Sequence, residues 1–175
     1  MTLRRRGIAR LAREGWDGGR SVWESEAEGR VLTVDEIVVR EGPAPERIAA
    51  VLRLDAGEPV CVRSRRYVLD GKPVLLATSY LPGALVAGSP VTWPDPGPGG
   101  IYARLADLGH APARFREEVR ARMPSQEEAG RLGLGSGVPV VLVCRTAYTA
   151  QARAVEVNEM VLDSAAYILE YGFEA

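Results

Sequence analysis

Histidine, lysine and cysteine are nearly absent from this 175-residue chain, which holds only His110, Lys72, Cys61 and Cys144 of these types. One histidine in a turn supports no nucleophile–histidine–carboxylate set, and His110, which follows Gly109 at a predicted helix end, reads as a capping residue. Spacings such as CxxC or HExxH are missing, so no metal is expected. Neither GxxxxGK[ST] nor a post-strand GxGxxG occurs, and no cofactor is expected. Both cysteines fall in apolar strand patterns and read as buried free thiols, not a disulfide. No apolar run approaches the ~18 residues of a membrane span, and nothing resembles a signal peptide, so the expected setting is cytoplasmic. A net charge of -1 gives no global argument for nucleic acid or membrane, while 46% hydrophobic residues are ample for one packed domain.

What the chain does have is an internal echo. Gly57-Glu58-Pro59-Val60 returns as Gly137-Val138-Pro139-Val140, displaced by 80 positions without a gap. In the same register Ala49, Leu52, Leu54 and Arg65 meet Ala129, Leu132, Leu134 and Arg145. Each copy reads as a short helix, a Gly turn, a strand closing on an Arg, a polar turn and a second strand. Two copies of one unit predict a sheet built from related halves, with a cleft between them as a natural ligand site.

Along the chain, residues 1–32 form an Arg-rich segment carrying Arg4, Arg5, Arg6, Arg10, Arg13 and Arg20, then Trp16 and Trp23. It reads either as an arm near DNA phosphates or as a solvated tail pinned by one Trp. Val34–Arg40 lacks clean alternation and predicts a strand buried on much of both faces. Pro45 predicts a helix start at its first turn, and Asp70-Gly71 a tight hairpin between strands Pro59–Val68 and Pro73–Leu81. The Pro-rich stretch 82–98 reads as loop and Ile101–Leu108 as helix. Phe115–Arg122 alternates against an almost wholly charged face, predicting a strand with one face in solvent. Ser125 and Glu128 form a capping box for a further helix, strands Val138–Tyr148 and Ala154–Leu162 follow, and Tyr167–Phe173 closes the chain as a last strand or extended tail, giving an α+β domain around an antiparallel sheet.

Period-two alternation puts Arg63, Arg65 and Tyr67 on one strand face, with Arg66 on the other. Glu156 and Asn158 share a face amid Val155, Val157 and Met160, where a carboxylate is costly unless paired or used. Two readings stand: an internal Arg145–Glu156 pair across the hairpin, or a polar floor on which Arg binds an anionic group and Glu or Asn binds hydroxyls or amines. Amides at Gly99, Gly100, Ile101 and Tyr102 would open a helix N-terminus that attracts anions, or simply form a Gly-rich turn.

Arg65 with Asp70-Gly71-Lys72-Pro73, Ser79-Tyr80-Leu81-Pro82, Gly100-Ile101-Tyr102, Glu128-Ala129, Pro139-Val140, Arg145-Thr146, Val155-Glu156 and Tyr171-Gly172-Phe173 occur in a telling order. From about Val34 onward the chain resembles the UTRA domain of HutC-type GntR transcription regulators. The resemblance implies a chorismate-lyase-like antiparallel sheet with flanking short helices, a homodimer and a small-molecule effector. It also implies DNA contact only through an N-terminal winged helix-turn-helix, for which residues 1–32 are too few, leaving 33–175 as the effector domain. Arg63, Arg65, Tyr67, Ser79, Gly100, Ile101, Tyr102, Glu156 and Asn158 become the expected ligand residues. In sugar-phosphate-sensing members, a second Arg stands where this chain has Tyr67, a carboxylate where it has Ala77, and an aromatic where it has Leu162. A less polar effector with one anionic group follows. The alternatives are a small chorismate-lyase-like enzyme and a ligand-free dimerisation module.

Overall fold

The computed structural model describes residues 4–7, 11, 16–19 and 30–171; Trp23, Gly172 and Phe173 lie outside them. In chain order the elements are β1 (Arg4–Gly7), β2 (Leu32–Pro43), α1 (Glu46–Leu52), β3 (Pro59–Leu69), β4 (Lys72–Pro82), α2 (Gly83–Val86), α3 (Gly100–Asp107), β5 (Arg114–Arg122), α4 (Gln126–Leu132), β6 (Val140–Tyr148), β7 (Ala154–Asp163) and β8 (Tyr167–Glu170). A single 3-10 turn at Pro90–Thr92 interrupts the long Pro-rich connection. Six strands form one antiparallel sheet in the order β2-β3-β4-β7-β6-β5, so the α+β expectation holds.

The echo in the sequence is an echo in space. Shifting by 80 carries α1 onto α4 residue for residue, and the trailing strands β4 and β7 pair at the centre of the sheet. Even the helix ends match. Arg53 and Gly133 both take left-handed backbone (φ 54° and 62°), and Leu54 N and Leu134 N donate to Ala49 O and Ala129 O, each at 2.9 Å. Only the second copy has glycine at this position, where it carries no side-chain penalty.

Local chemistry explains the turns. Asp70 and Gly71 both have positive φ (49° and 78°), the two-residue turn whose twist suits a hairpin, and Leu69 pairs with Lys72 across it. Ser125 Oγ accepts from Glu128 N at 3.1 Å while Glu128 Oε2 accepts from Ser125 N at 2.8 Å, the predicted capping box. Arg122 then clamps the same carboxylate with both terminal nitrogens, at 2.7 and 2.8 Å.

One sheet face is covered by the two repeat helices. Ile48 and Leu52 pack with Val60, Val62 and Val157, and Leu132 packs with Leu76 and Val140. The other face is covered by α3 and the chain around Trp16, which is 2% exposed and meets Tyr102 edge-on at 6.2 Å. Burial pushes the Cys61 and Cys144 thiols up, and both cysteines are free.

Three expectations are corrected. β2 is an edge strand with Val34, Ile37 and Val38 exposed, not a strand buried on both faces; a bulge near Glu36 disturbs its alternation, which is why its apolar run looked continuous. Pro45 caps α1 from outside it in extended backbone (ψ 142°), its carbonyl accepting from Ile48 N and Ala49 N. On β5 the second face is also open beyond Glu117, because β5 is the opposite edge: Val119 is 45% exposed. Within the Arg-rich segment, Arg4–Gly7 pair in parallel with Tyr167–Glu170, and burial of Trp16 fits the reading in which one Trp pins the segment.

Two measurements check this account. Arg53→Gly should stabilise the domain by ~0.5–1 kcal/mol, relief of the left-handed penalty less the added chain entropy, seen as a higher urea midpoint. The Glu128 carboxyl is held down from 4.5 to about 2, first by its Arg122 hydrogen bonds. A depressed carboxylate contributes stability that is complete above pH 4.5 and lost as pH falls towards 2. Glu128→Gln should therefore flatten the acid limb of the stability curve in that window, in unfolding titrations stepped through pH.

Candidate functional site

Strand alternation lays a polar row straight across the sheet face opposite the repeat helices. Arg63 on β3 pairs with Ser79 on β4, Ser79 with Asn158 on β7, Asn158 with Arg145 on β6, and Arg145 with Glu117 on β5. Paired residues in antiparallel neighbours share a face, so five polar side chains stand in line. Above this row lies a cavity of about 420 Å³, lined by Arg63, Arg65, Tyr67, Tyr102, Arg145 and Glu156, by Pro94–Gly97, Gly99 and Ile101, and by Leu32, Val34 and Ile37 of β2.

Arg63 and Arg65 are held by neutral acceptors. Arg63, 3% exposed, reaches across to the covering loop and donates to the carbonyls of Val91, Trp93 and Pro94, the last at 3.0 Å. Burial lowers its pKa first, and neighbouring Arg65 next. Arg65 Nε donates to Tyr67 Oη at 2.7 Å, Nη1 to Arg63 O at 3.2 Å, and both terminal nitrogens to Ser79 Oγ at 3.1 Å. Its guanidinium is thereby aimed before any ligand arrives. Arg145 lies 5.6 Å over the Tyr102 ring and 5.9 Å over Phe115, with Glu117 at 4.0 Å.

The acidic counterpart is Glu156, fully buried, whose Oε2 accepts from Tyr102 Oη at 2.8 Å. Burial drives the Tyr102 pKa well above its ordinary value, so the phenol keeps its proton and donates. Glu156 Oε1 has no hydrogen-bond partner among the described residues, and neither amide atom of Asn158 has one. Three guanidinium groups against Glu156 and Asp95 leave the lining with a formal charge of +1.

The structure sorts the expected ligand residues. Arg63, Arg65, Tyr67, Ile101, Tyr102 and Glu156 line the cavity; Ser79, Gly100 and Asn158 do not. Ser79 sits beneath Arg65 as its acceptor, and Asn158 is wholly buried in the polar row. The amides of Gly99 and Gly100 are already engaged, donating to Gly19 O at 2.9 Å and Gly97 O at 3.1 Å. The Arg145–Glu156 cross-hairpin reading is replaced: the register sets Arg145 against Asn158 and Glu156 against Ala147, and Tyr102 supplies the carboxylate's hydrogen bond. Arg145, Asp95 and the β2 wall were missed. The repeat had carried the signal for Arg145, since the shift maps Arg65 onto it; the loop and β2 contacts are long-range and leave no local trace.

The sequence and the fold match a family of regulatory domains. Residues 27–168 match the UTRA domain model, and the chain belongs to that family. It is 34% identical over 162 residues to an uncharacterised HTH-type transcriptional regulator, SCO4628, of Streptomyces coelicolor, covering 88% of this chain and 60% of that protein. The HTH-type transcriptional regulator Rv0792c of Mycobacterium tuberculosis is 36% identical over 126 residues, 71% of this chain and 46% of its own length. Among solved structures, PhnF from Mycobacterium smegmatis superposes with a TM-score of 0.82 at 23% identity, covering 100% of this chain and 73% of that one, which shows a shared fold. The chain thus spans 46–60% of the length of the curated relatives it matches.

Arg63→Ala should destabilise the domain by about 3 kcal/mol, because several buried carbonyls of the covering loop lose their donor. Arg63→Lys should recover less than half, since an ammonium cannot span the spread of acceptors that the fork reaches. Urea unfolding of the three proteins, with limited proteolysis at residues 90–97, reads both effects.

Proposed function

We propose that this chain is the effector-binding and dimerisation domain of a HutC-type GntR regulator acting in the cytoplasm. The observation that carries the reading is a 420 Å³ cavity in which pre-aimed arginines face a buried Glu156–Tyr102 pair. Its volume falls within the roughly 300–1,000 Å³ of small-molecule sites. Arg65 and Arg145 suit an anionic group, Glu156 Oε1 suits a hydroxyl or amine donor, and Val34, Ile37 and Ile101 suit an apolar body. The effector is accordingly a small amphiphilic anion. Residues 1–32 serve as the linker to a DNA-binding winged helix-turn-helix, and a homodimer sets the spacing of two such heads.

Control is by population shift: an effector that prefers one dimer arrangement biases DNA affinity by its differential binding free energy and no more. The covering loop supports this, because the chain around Trp16 docks on it. Gly99 N donates to Gly19 O, and the Trp16 ring meets Tyr102, whose hydroxyl reaches into the cavity at Glu156. A ligand against Glu156 and Tyr102 therefore lies two contacts from the linker.

Thermal melting with a panel of small carboxylates, phosphates and sulfonates tests the reading. A ligand at 100 times its Kd should stabilise the domain by about 2.7 kcal/mol, and Arg65→Ala should abolish the shift. A panel that moves the melting point nowhere would leave a dimerisation module, and turnover of chorismate would establish the enzyme.

A further inference from the structure

The bulge in β2 decides which side chain meets Arg65. Pairing runs Val34 with Tyr67 and Asp35 with Arg66, then resumes at Val38 with Ser64 and Val39 with Arg63. Two residues, Glu36 and Ile37, therefore oppose the single residue Arg65. In an unbroken ladder from Val34, strict alternation would place Glu36 and Val38 on the cavity face. The bulge reverses that choice: Ile37 lines the cavity, and Glu36, at φ 49°, turns its carboxylate away.

A clamp drawn from β3 and from α4 of the other half holds this reversal. Glu36 Oε1 lies 2.9 Å from Arg66 Nη1 and Glu36 Oε2 2.8 Å from Arg131 Nε on α4. Arg66 also grips Asp35 with two bonds of 2.8 Å and donates to Arg131 O at 3.1 Å. A non-glycine residue in left-handed backbone persists only where its surroundings over-determine it, and three charged neighbours, Asp35, Arg66 and Arg131, do so here.

We infer that the Glu36–Ile37 bulge is the specificity determinant of the cavity: it keeps this chain's own carboxylate off Arg65 and so reserves that guanidinium for an anionic ligand. The inference rests on the cavity being the effector site proposed above. Asp35, Glu36, Arg66 and Arg131 are positioning residues that act through β2, and Ile37 is the residue that touches the ligand's apolar part. A carboxylate beside Arg65 would neutralise it and turn the preference towards neutral or cationic compounds.

Two sets of variants test this, one with a ligand probe and one without. With anilinonaphthalene sulfonate as the anionic amphiphile, Ile37→Glu and deletion of Ile37, which slides Glu36 opposite Arg65, should weaken binding at least tenfold. Deletion of Glu36, which keeps Ile37 in place, should stay within threefold of the parent, and Ile37→Gln, which loses the apolar contact but adds no charge, should bind at least threefold more tightly than Ile37→Glu. The two deletions remove the same bulge, so a purely structural role would move them together, and that outcome would overturn the inference.

The second set needs no ligand. On a Cys61→Ala, Cys144→Ala background, Ile37→Cys should react at least tenfold faster with an anionic than with a cationic methanethiosulfonate, and Glu36→Cys should not. Equal selectivity at the two positions would also overturn it. Selectivity at position 37 without dye binding by the parent would support the bulge assignment and count against the anionic-effector reading.

Discussion

The pairing of β4 with β7 is the constraint on which the rest of this structure depends. These are the trailing strands of two copies of one unit, and their contact turns two three-stranded halves into a six-stranded sheet. Register there is all-or-none, because a slip of one residue would turn every side chain of a half to the opposite face. Setting Ser79 against Asn158 aligns Arg63 in one half with Arg145 in the other. The cavity floor is therefore a property of the joint, and neither half contains it alone.

Burying Arg63 and Arg145, with Arg65 half-buried beside them, would be prohibitive if their donors went unmet. The protein meets them mainly with neutral oxygens: loop carbonyls for Arg63, and a tyrosine, a serine and a backbone carbonyl for Arg65. Neutral acceptors satisfy hydrogen bonds while leaving positive potential in the cavity. Among the described residues, the one fully buried carboxylate facing it, Glu156, is shared with a tyrosine that keeps its proton. The remaining acidic groups near this wall, Asp35 and Glu36, are drawn to the far side of β2 by Arg66 and Arg131. The carboxylates of β2 are thus neutralised outside the cavity, and its lining keeps a net positive charge.

What could be read in advance follows the range of each interaction. The α4 capping box, the Asp70-Gly71 hairpin and the helix stop at Gly109 depend on residues within four positions of one another, and all stand where their chemistry places them. Arg63, Arg65 and Tyr67 share a face through simple alternation. Alternation failed on β2, where the bulge shifts the phase, and it could not show that Val34, Ile37 and Val38 lie on an exposed edge. It also placed Asn158 near a ligand, and that side chain is wholly buried in the row.

The sequence by itself determined the duplicated unit, the antiparallel α+β sheet, the turn and cap chemistry and the strand faces that carry the polar groups. These are consequences of periodicity and near-neighbour bonding, which a linear chain records. Only the tertiary structure decided that Arg63 fastens the covering loop, that Arg145 joins the site, and that Glu156 pairs with Tyr102 54 residues away. It also decided that Ile37, not Glu36, meets Arg65. Each of those outcomes depends on how two distant segments are docked, and docking is set by summed packing and register across the sheet. No short stretch of sequence holds that sum.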